Sequence, residues 1–101
     1  MTTVAEILNR AADRLSREGA WTQNAMAKDA DGTQVPPRYA TACQWCSKGA
    51  IRAETKYFYD VYVAEQALAS AIGNAAIAAW NDDPARTQSD IVEAFRKEEK
   101  L

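Results

Sequence analysis

The sequence predicts a mainly α fold, a compact bundle of about four helices around one long central helix, with a small β-hairpin after the first helix. Three observations carry this reading. Apolar residues recur at helical spacing in several separate stretches. Residues 57–80 run without Pro and hold their single Gly well inside. The turn signals that suit β-structure cluster between residues 20 and 37. With 101 residues, 48% of them hydrophobic and 26% charged, residues 1–101 are expected to form one domain with a single core. Ala is abundant and large aliphatics are scarce, so the core should rely on close helix approach, with three Trp and four Tyr supplying volume.

The first helix opens at Thr3-Val4-Ala5-Glu6, which has the form of a capping box. Val4, Ile7, Leu8, Ala11, Ala12 and Leu15 follow at i, i+3, i+4 spacing, and Gly19 is a natural stop. Arg10, Asp13, Arg14 and Arg17 sit on or near the other face, where they read as solvated helix charge and not as a binding stripe. Beyond Ala20 the helical period fades. Asp29-Ala30-Asp31-Gly32 is a turn signal, and residues 21–28 and 33–35 are expected to pair across it, a helical turn over the first flank being the alternative. The Asp-x-Asp-Gly spacing resembles part of a calcium loop, but the closing Glu is missing, which favours a plain turn.

Pro36-Pro37 forces an extended entry, after which residues 39–53 read as a second helix. Gly49 lies inside it and should be offset by close approach of another backbone, the Ala-rich face of the central helix being the expected partner. That central helix, 57–80, has one apolar side through Phe58, Val61, Leu68 and Ile72, and a second, partly apolar side through Tyr59, Val63 and Ile77. Such a helix belongs among neighbours. Asn81 then suits a left-handed cap, Asp83-Pro84 a short turn, and Thr87 or Ser89 the cap of a last helix whose Ile91, Val92 and Phe95 face inward. Asp90 and Glu93 near its start and Arg96, Lys97 and Lys100 near its end suit the helix dipole.

Composition narrows the function classes. A net charge of −2, with no basic cluster beyond the first helix, argues against nucleic acid. No apolar run reaches the roughly 20 residues of a membrane span. Two Cys and no secretory leader point to the cytoplasm. The absence of His removes the usual nucleophile arrangements and the commonest transition-metal ligand, so an enzyme is disfavoured and no cofactor is expected.

Three groups remain as candidates for chemistry. Cys43-Gln44-Trp45-Cys46 has redox spacing but no βαβ context, and too few further ligands for a zinc site, so small buried thiols are the simpler reading. Glu65 lies near the apolar side of the long helix, either as a general base or, more simply, as an edge residue paired with an Arg. Asp82 and Arg86 are expected to form a carboxylate–guanidinium pair at the corner after Trp80.

Four blocks in order carry a resemblance. They are Val-Ala-Glu-Ile-Leu-x-x-Ala-Ala-Asp from Val4, Gly-Ala-Trp-Thr-Gln-x-Ala-x-Ala-x-Asp-Ala-Asp-Gly from Gly19, Trp-Cys-x-x-Gly-Ala-Ile from Trp45, and Trp-Asn-Asp-x-x-x-Arg-Thr-x-x-Asp-Ile-Val-x-Ala-Phe from Trp80. Together they resemble a domain of unknown function found in small proteins of bacteria and their phages. The resemblance implies that Trp21, Gln23, Cys46, Gly49, Trp80, Asn81, Asp82, Arg86 and Thr87 occupy family positions and that Cys43 is an addition. It implies no activity.

The leading functional expectation is a small non-enzymatic protein-binding module, a phage or host regulator or inhibitor. It would use an aromatic patch around Trp21, Tyr39 and Trp45, with Gln23, Asn81 and Thr87 as further binding candidates, or a helix face for self-association. The alternatives are a His-free hydrolase or transferase built on Asp82, Arg86 and Cys46, and a redox or metal role for Cys43 and Cys46.

Overall fold

The computed structural model describes residues 2–97, about 51% of them helical. In order the elements are α1 (Val4–Leu15), β1 (Ala27–Lys28), β2 (Gln44–Trp45), α2 (Ser47–Ala53), α3 (Phe58–Ile72), α4 (Ile77–Asn81) and α5 (Gln88–Arg96). The fold is mainly α with one small antiparallel ribbon, as the residue pattern predicts.

Helix α1 begins where its capping box says. Thr3 Oγ1 accepts from the Glu6 amide at 3.1 Å, and Glu6 Oε1 accepts from the Thr3 amide at 3.3 Å. Its stripe of Ile7, Leu8, Ala11, Ala12 and Leu15 is buried against α2, α3 and α5. On α5, Thr87 and Asp90 form a second capping box, and Ile91, Ala94 and Phe95 fill the same core. Two side chains lash the pair. Gln88 Nε2 donates to the Leu15 and Arg17 carbonyls at 2.6 and 2.8 Å, and Arg96 reaches Asp13 at 2.8 Å. Lys100, expected at the end of α5, lies outside the described residues.

The packing hub is therefore α1, not the long helix. Helix α3 is the longest among the described residues, but it ends sooner than residues 57–80 predict. Gly73 adopts a left-handed conformation (φ +66°), and its amide bonds the Ala69 and Ser70 carbonyls. Asn74 Oδ1 then accepts from the Ala76 amide at 2.8 Å, and a separate short helix, α4, starts at Ile77. Gly73, interior to the expected helix, is the stop. Of α3 only Ala64 and Leu68 are fully buried.

Residues 39–46 are not helical either. The Tyr39 and Ala42 amides close successive turns onto the Pro36 and Tyr39 carbonyls. Gln44 and Trp45 then pair antiparallel with Lys28 and Ala27. The expected pairing across the Asp29 turn is also present, but only as a bridge between Lys28 and Gln34, flanked by bonds from Asp29 N to Thr33 O and from Val35 N to Ala27 O. Asp29 Oδ1 accepts from the Asp31 and Thr33 amides at 3.0 and 2.9 Å, so that carboxylate serves its own turn.

Helix α2 starts only at Ser47. Gly49 does meet another backbone closely, but the partner is Met26, not α3. A Cβ at Gly49 would sit 1.8 Å from the Met26 carbonyl oxygen, which also accepts the Cys46 amide at 3.2 Å.

Candidate functional site

The residues singled out at the 80–87 corner gather around one buried amide. Asn81 is the last residue of α4 and is wholly buried, so it does not take the left-handed cap expected of it. Its Oδ1 accepts from Trp21 Nε1 at 2.9 Å, from the Ser47 amide at 2.9 Å and from Ser47 Oγ at 2.7 Å. Its Nδ2 donates to Thr22 O at 3.2 Å and to Asp82 Oδ1 at 2.9 Å. Every donor and acceptor of the side chain is thereby used. Asp82 Oδ1 also accepts the amide of Asn24, which holds positive φ, and Gln23 Nε2 donates to the Asn81 and Asp83 carbonyls at 3.0 and 2.8 Å. The cluster stitches residues 21–24, the start of α2 and the end of α4 together. Its polar groups face one another, which leaves little for a ligand to bind.

Arg86 does not join Asp82. Its nearest carboxylate is Asp83, at 3.8 Å, its Nε donates to the Trp80 carbonyl at 3.0 Å, and its guanidinium lies 4.4 Å from the centre of the Trp80 ring. It lines an open cleft of about 220 Å³ with Trp80, Ile72 and Lys97, and neither Asp82 nor Cys46 is part of that lining. The three residues named for hydrolase or transferase chemistry thus do not converge on this opening. Thr87, offered as a binding residue, is occupied as the cap of α5.

The two thiols are separated by exposure. Cys43 is exposed and Cys46 is buried. Cys46 caps α2, its Sγ accepting the Gly49 amide at 3.3 Å and lying 3.9 Å from the Met26 sulfur. Burial pushes the Cys46 thiol up from its ordinary value, and the Asp82 carboxylate adds to the rise. The opposing pull of the Gly49 and Lys48 amides is the smaller effect, so the thiol stays protonated, which is poor preparation for a nucleophile. Among the described residues, no group of three or more Cys, Asp or Glu side chains is placed to hold a metal ion.

Glu65 sits at the edge of α3 between two cations, with Lys48 Nζ at 3.8 Å and Arg52 Nε at 3.7 Å. The edge-pairing reading describes it. At these separations Arg52 Nε and Glu65 Oε2 have no hydrogen bond of normal length, although both atoms are buried.

The aromatic patch expected around Trp21, Tyr39 and Trp45 does not form. Trp45 is buried, with its Nε1 donating to Pro37 O at 3.0 Å and Arg14 stacked 4.4 Å from its ring centre. Arg14 in turn bonds Glu54 at 2.7 Å. Trp21 is held half-buried by Asn81, so of the three only Tyr39 stands out in solvent.

The exposed aromatics lie elsewhere, at the start of α3. Tyr57, Phe58, Tyr59 and Tyr62 are 69%, 84%, 73% and 55% exposed. A groove of about 560 Å³ lies between Val4 on α1 and Tyr57, Tyr59 and Val63, and Phe58 and Tyr62 are not part of its lining. A signal for this was present in the sequence. Four aromatics within six positions span more than one face of a helix, so one core cannot cover them all.

Among the described residues no helix is long and apolar enough to cross a membrane. No curated protein and no solved structure matches the chain. A family model does match, over residues 1–99, and its span takes in the Asn81 cluster and the aromatic face alike. The chain belongs to the family of unknown function DUF6197.

Proposed function

We propose that the protein is a non-enzymatic protein-binding module whose contact surface is the aromatic start of α3. The observation that carries this is the exposure of Tyr57, Phe58, Tyr59 and Tyr62 on a helix whose composition suits an interior. Aromatic residues of this kind are enriched where one protein meets another, because they offer large rigid area at low entropic cost. The polar cluster around Asn81 supports the same reading from the other side, since its groups are spent on holding the scaffold. A cytoplasmic regulator or inhibitor in a bacterial or phage setting is the form this role would take, a setting that rests on the resemblance of the sequence blocks.

The test is site-specific photocrosslinking in cells producing the protein. Benzoylphenylalanine in place of Phe58 should give protein adducts, whereas the same group in place of exposed Glu93 on α5 should not. Equal labelling at both sites, or none at Phe58, refutes the reading.

A further inference from the structure

We propose that the cleft beside Trp80 and Arg86 binds a free amino acid with an apolar side chain, holding its carboxylate and its ammonium at once. The cleft, of about 220 Å³, lies where the end of α3 meets α4 and α5. Its lining shares no residue with the groove beside Tyr59, so the site stands whether or not the aromatic start of α3 binds a protein.

Half-buried Ile72 and Trp80 and buried Ala94 form its apolar wall. A cavity of about 150 Å³ takes a benzene ring, so this space suits a ring or branched chain with a small polar head. A mainly apolar wall with a few converging polar groups is the usual make-up of a small-molecule site.

The charges decide what the head must be. Arg86, Asp90, Glu93 and Lys97 all line the cleft, and two of them are already engaged. Asp90 Oδ2 accepts the Thr87 amide at 3.0 Å in the α5 cap, and Lys97 Nζ lies 3.4 Å from the Ala71 carbonyl oxygen. Arg86 and Glu93 remain, and they are opposite in sign.

Arg86 is only 25% exposed and is fixed in place by its Nε bond to the Trp80 carbonyl and by the Trp80 ring beneath it. Among the described residues its terminal nitrogens have no hydrogen bond, the Asp83 carboxylate standing off at 3.8 Å. A guanidinium held at Nε and open at its far edge takes a carboxylate through two parallel N–H···O bonds. Glu93 is exposed and in no ion pair among the described residues. It lies one turn along α5 from Asp90, on the same face, where it can accept an ammonium. A bare anion would meet two carboxylates here and a bare amine two cations. A zwitterion satisfies both free groups.

The experiment is an NMR titration of the isotope-labelled full chain with L-leucine and with L-phenylalanine. Trp80 forms part of the wall, so its indole N–H signal reports on the cleft. The indoles of Trp21 and Trp45, bonded to Asn81 and Pro37, serve as internal references. The Trp80 signal should move and saturate with a Kd of about 0.1–3 mM, the range for a ligand of about ten atoms in an open site, while the other two stay. L-Leucinamide lacks the carboxylate and isocaproate lacks the ammonium, and each should bind at least about tenfold more weakly than L-leucine. Arg86→Gln should weaken leucine binding at least as much. Because Arg86 also holds the Trp80 carbonyl, Glu93→Gln at an exposed position is the variant that spares the fold, and it should bind leucine no better than the wild type binds isocaproate.

No Trp80 shift with either amino acid up to about 10 mM overturns the inference, as do equal shifts at all three indoles. Leucinamide or isocaproate binding as tightly as leucine refutes the two-point grip. So does a Glu93→Gln protein with wild-type affinity.

Discussion

Replacing Asn81 with Ala should be the most damaging single polar substitution in the protein, and its cost follows from the partners it strands. The change leaves Trp21 Nε1, the Ser47 amide, Ser47 Oγ and Thr22 O without their shared partner. Half-buried Trp21 can regain water and the Ser47 hydroxyl can rotate. The Ser47 amide and the Thr22 carbonyl are backbone groups in a buried setting and have no such freedom. At about 1–3 kcal/mol for each buried group left unpaired, with a small cavity added, the expected loss is about 3–5 kcal/mol. Against a total of about 5–15 kcal/mol for a domain, that is a large fraction. The assay is urea unfolding followed by tryptophan fluorescence. With a slope near the low end of the usual range, about 1–1.5 kcal/mol/M, the midpoint should fall by about 2 M or more. Trp21→Phe and Ser47→Ala serve as controls. Each removes one donor from an oxygen that keeps two others, and each should cost only about 1 kcal/mol. An Asn81→Ala protein within 1 kcal/mol of the wild type would show that the amide network is not what holds the corner, and the reasoning would fail.

Three further outcomes follow from single observations. Gly49→Ala should cost about 3 kcal/mol or more in the same assay, because the new methyl lands on the Met26 carbonyl, a backbone group already bonded to Cys46, and neither can retreat cheaply. Gly73→Ala should destabilise by about 1 kcal/mol, since φ +66° disfavours a Cβ. Were Gly73 in a helix interior the same change would stabilise by a similar amount, so the sign alone decides where α3 ends. In the folded protein a thiol reagent should modify Cys43 quickly and Cys46 only at the rate of unfolding. Linkage sharpens this last expectation. The folded Cys46 pKa is raised above its ordinary 9.0, so the unfolded chain loses that proton first. Its contribution to stability is complete below pH 9.0 and declines as pH rises from there toward the folded value. Cys46→Ser, which keeps a capping oxygen, should flatten that part of the pH–stability curve.

The elements legible in the sequence were those whose signals are local. Thr3 with Glu6 and Thr87 with Asp90 mark the starts of α1 and α5 within four residues, and the buried stripes that follow obey the helical period. Elements decided by distant partners were not legible. Gln44 and Trp45 form a strand too short to show alternation, and what places them is the backbone of residues 20–28. The stop at Gly73 was available, because Gly followed by Asn is a helix-ending pair, but the apolar run beyond it masks the break. Asn81 is the sharper case. A capping role is the sound local reading of Asn after a helix, and only partners 34 and 60 residues away, Ser47 and Trp21, turn it into a buried hub.

The same division explains why the aromatic end of α3 is free to act as a surface. Stability is concentrated where α1 meets α2 and α5 and where Asn81 ties the Trp21 segment to α4. Helix α3 joins that core chiefly through Ala64 and Leu68, which leaves Phe58, Tyr59 and Tyr62 with little structural duty. Exposed Phe and Tyr at such positions add nothing to the folded core and raise the risk of indiscriminate association. A polar residue in place of Phe58 would therefore leave the scaffold intact and make the chain more soluble. The presence of a ring there is a cost to the isolated chain, and the contact with a partner proposed above would recover it.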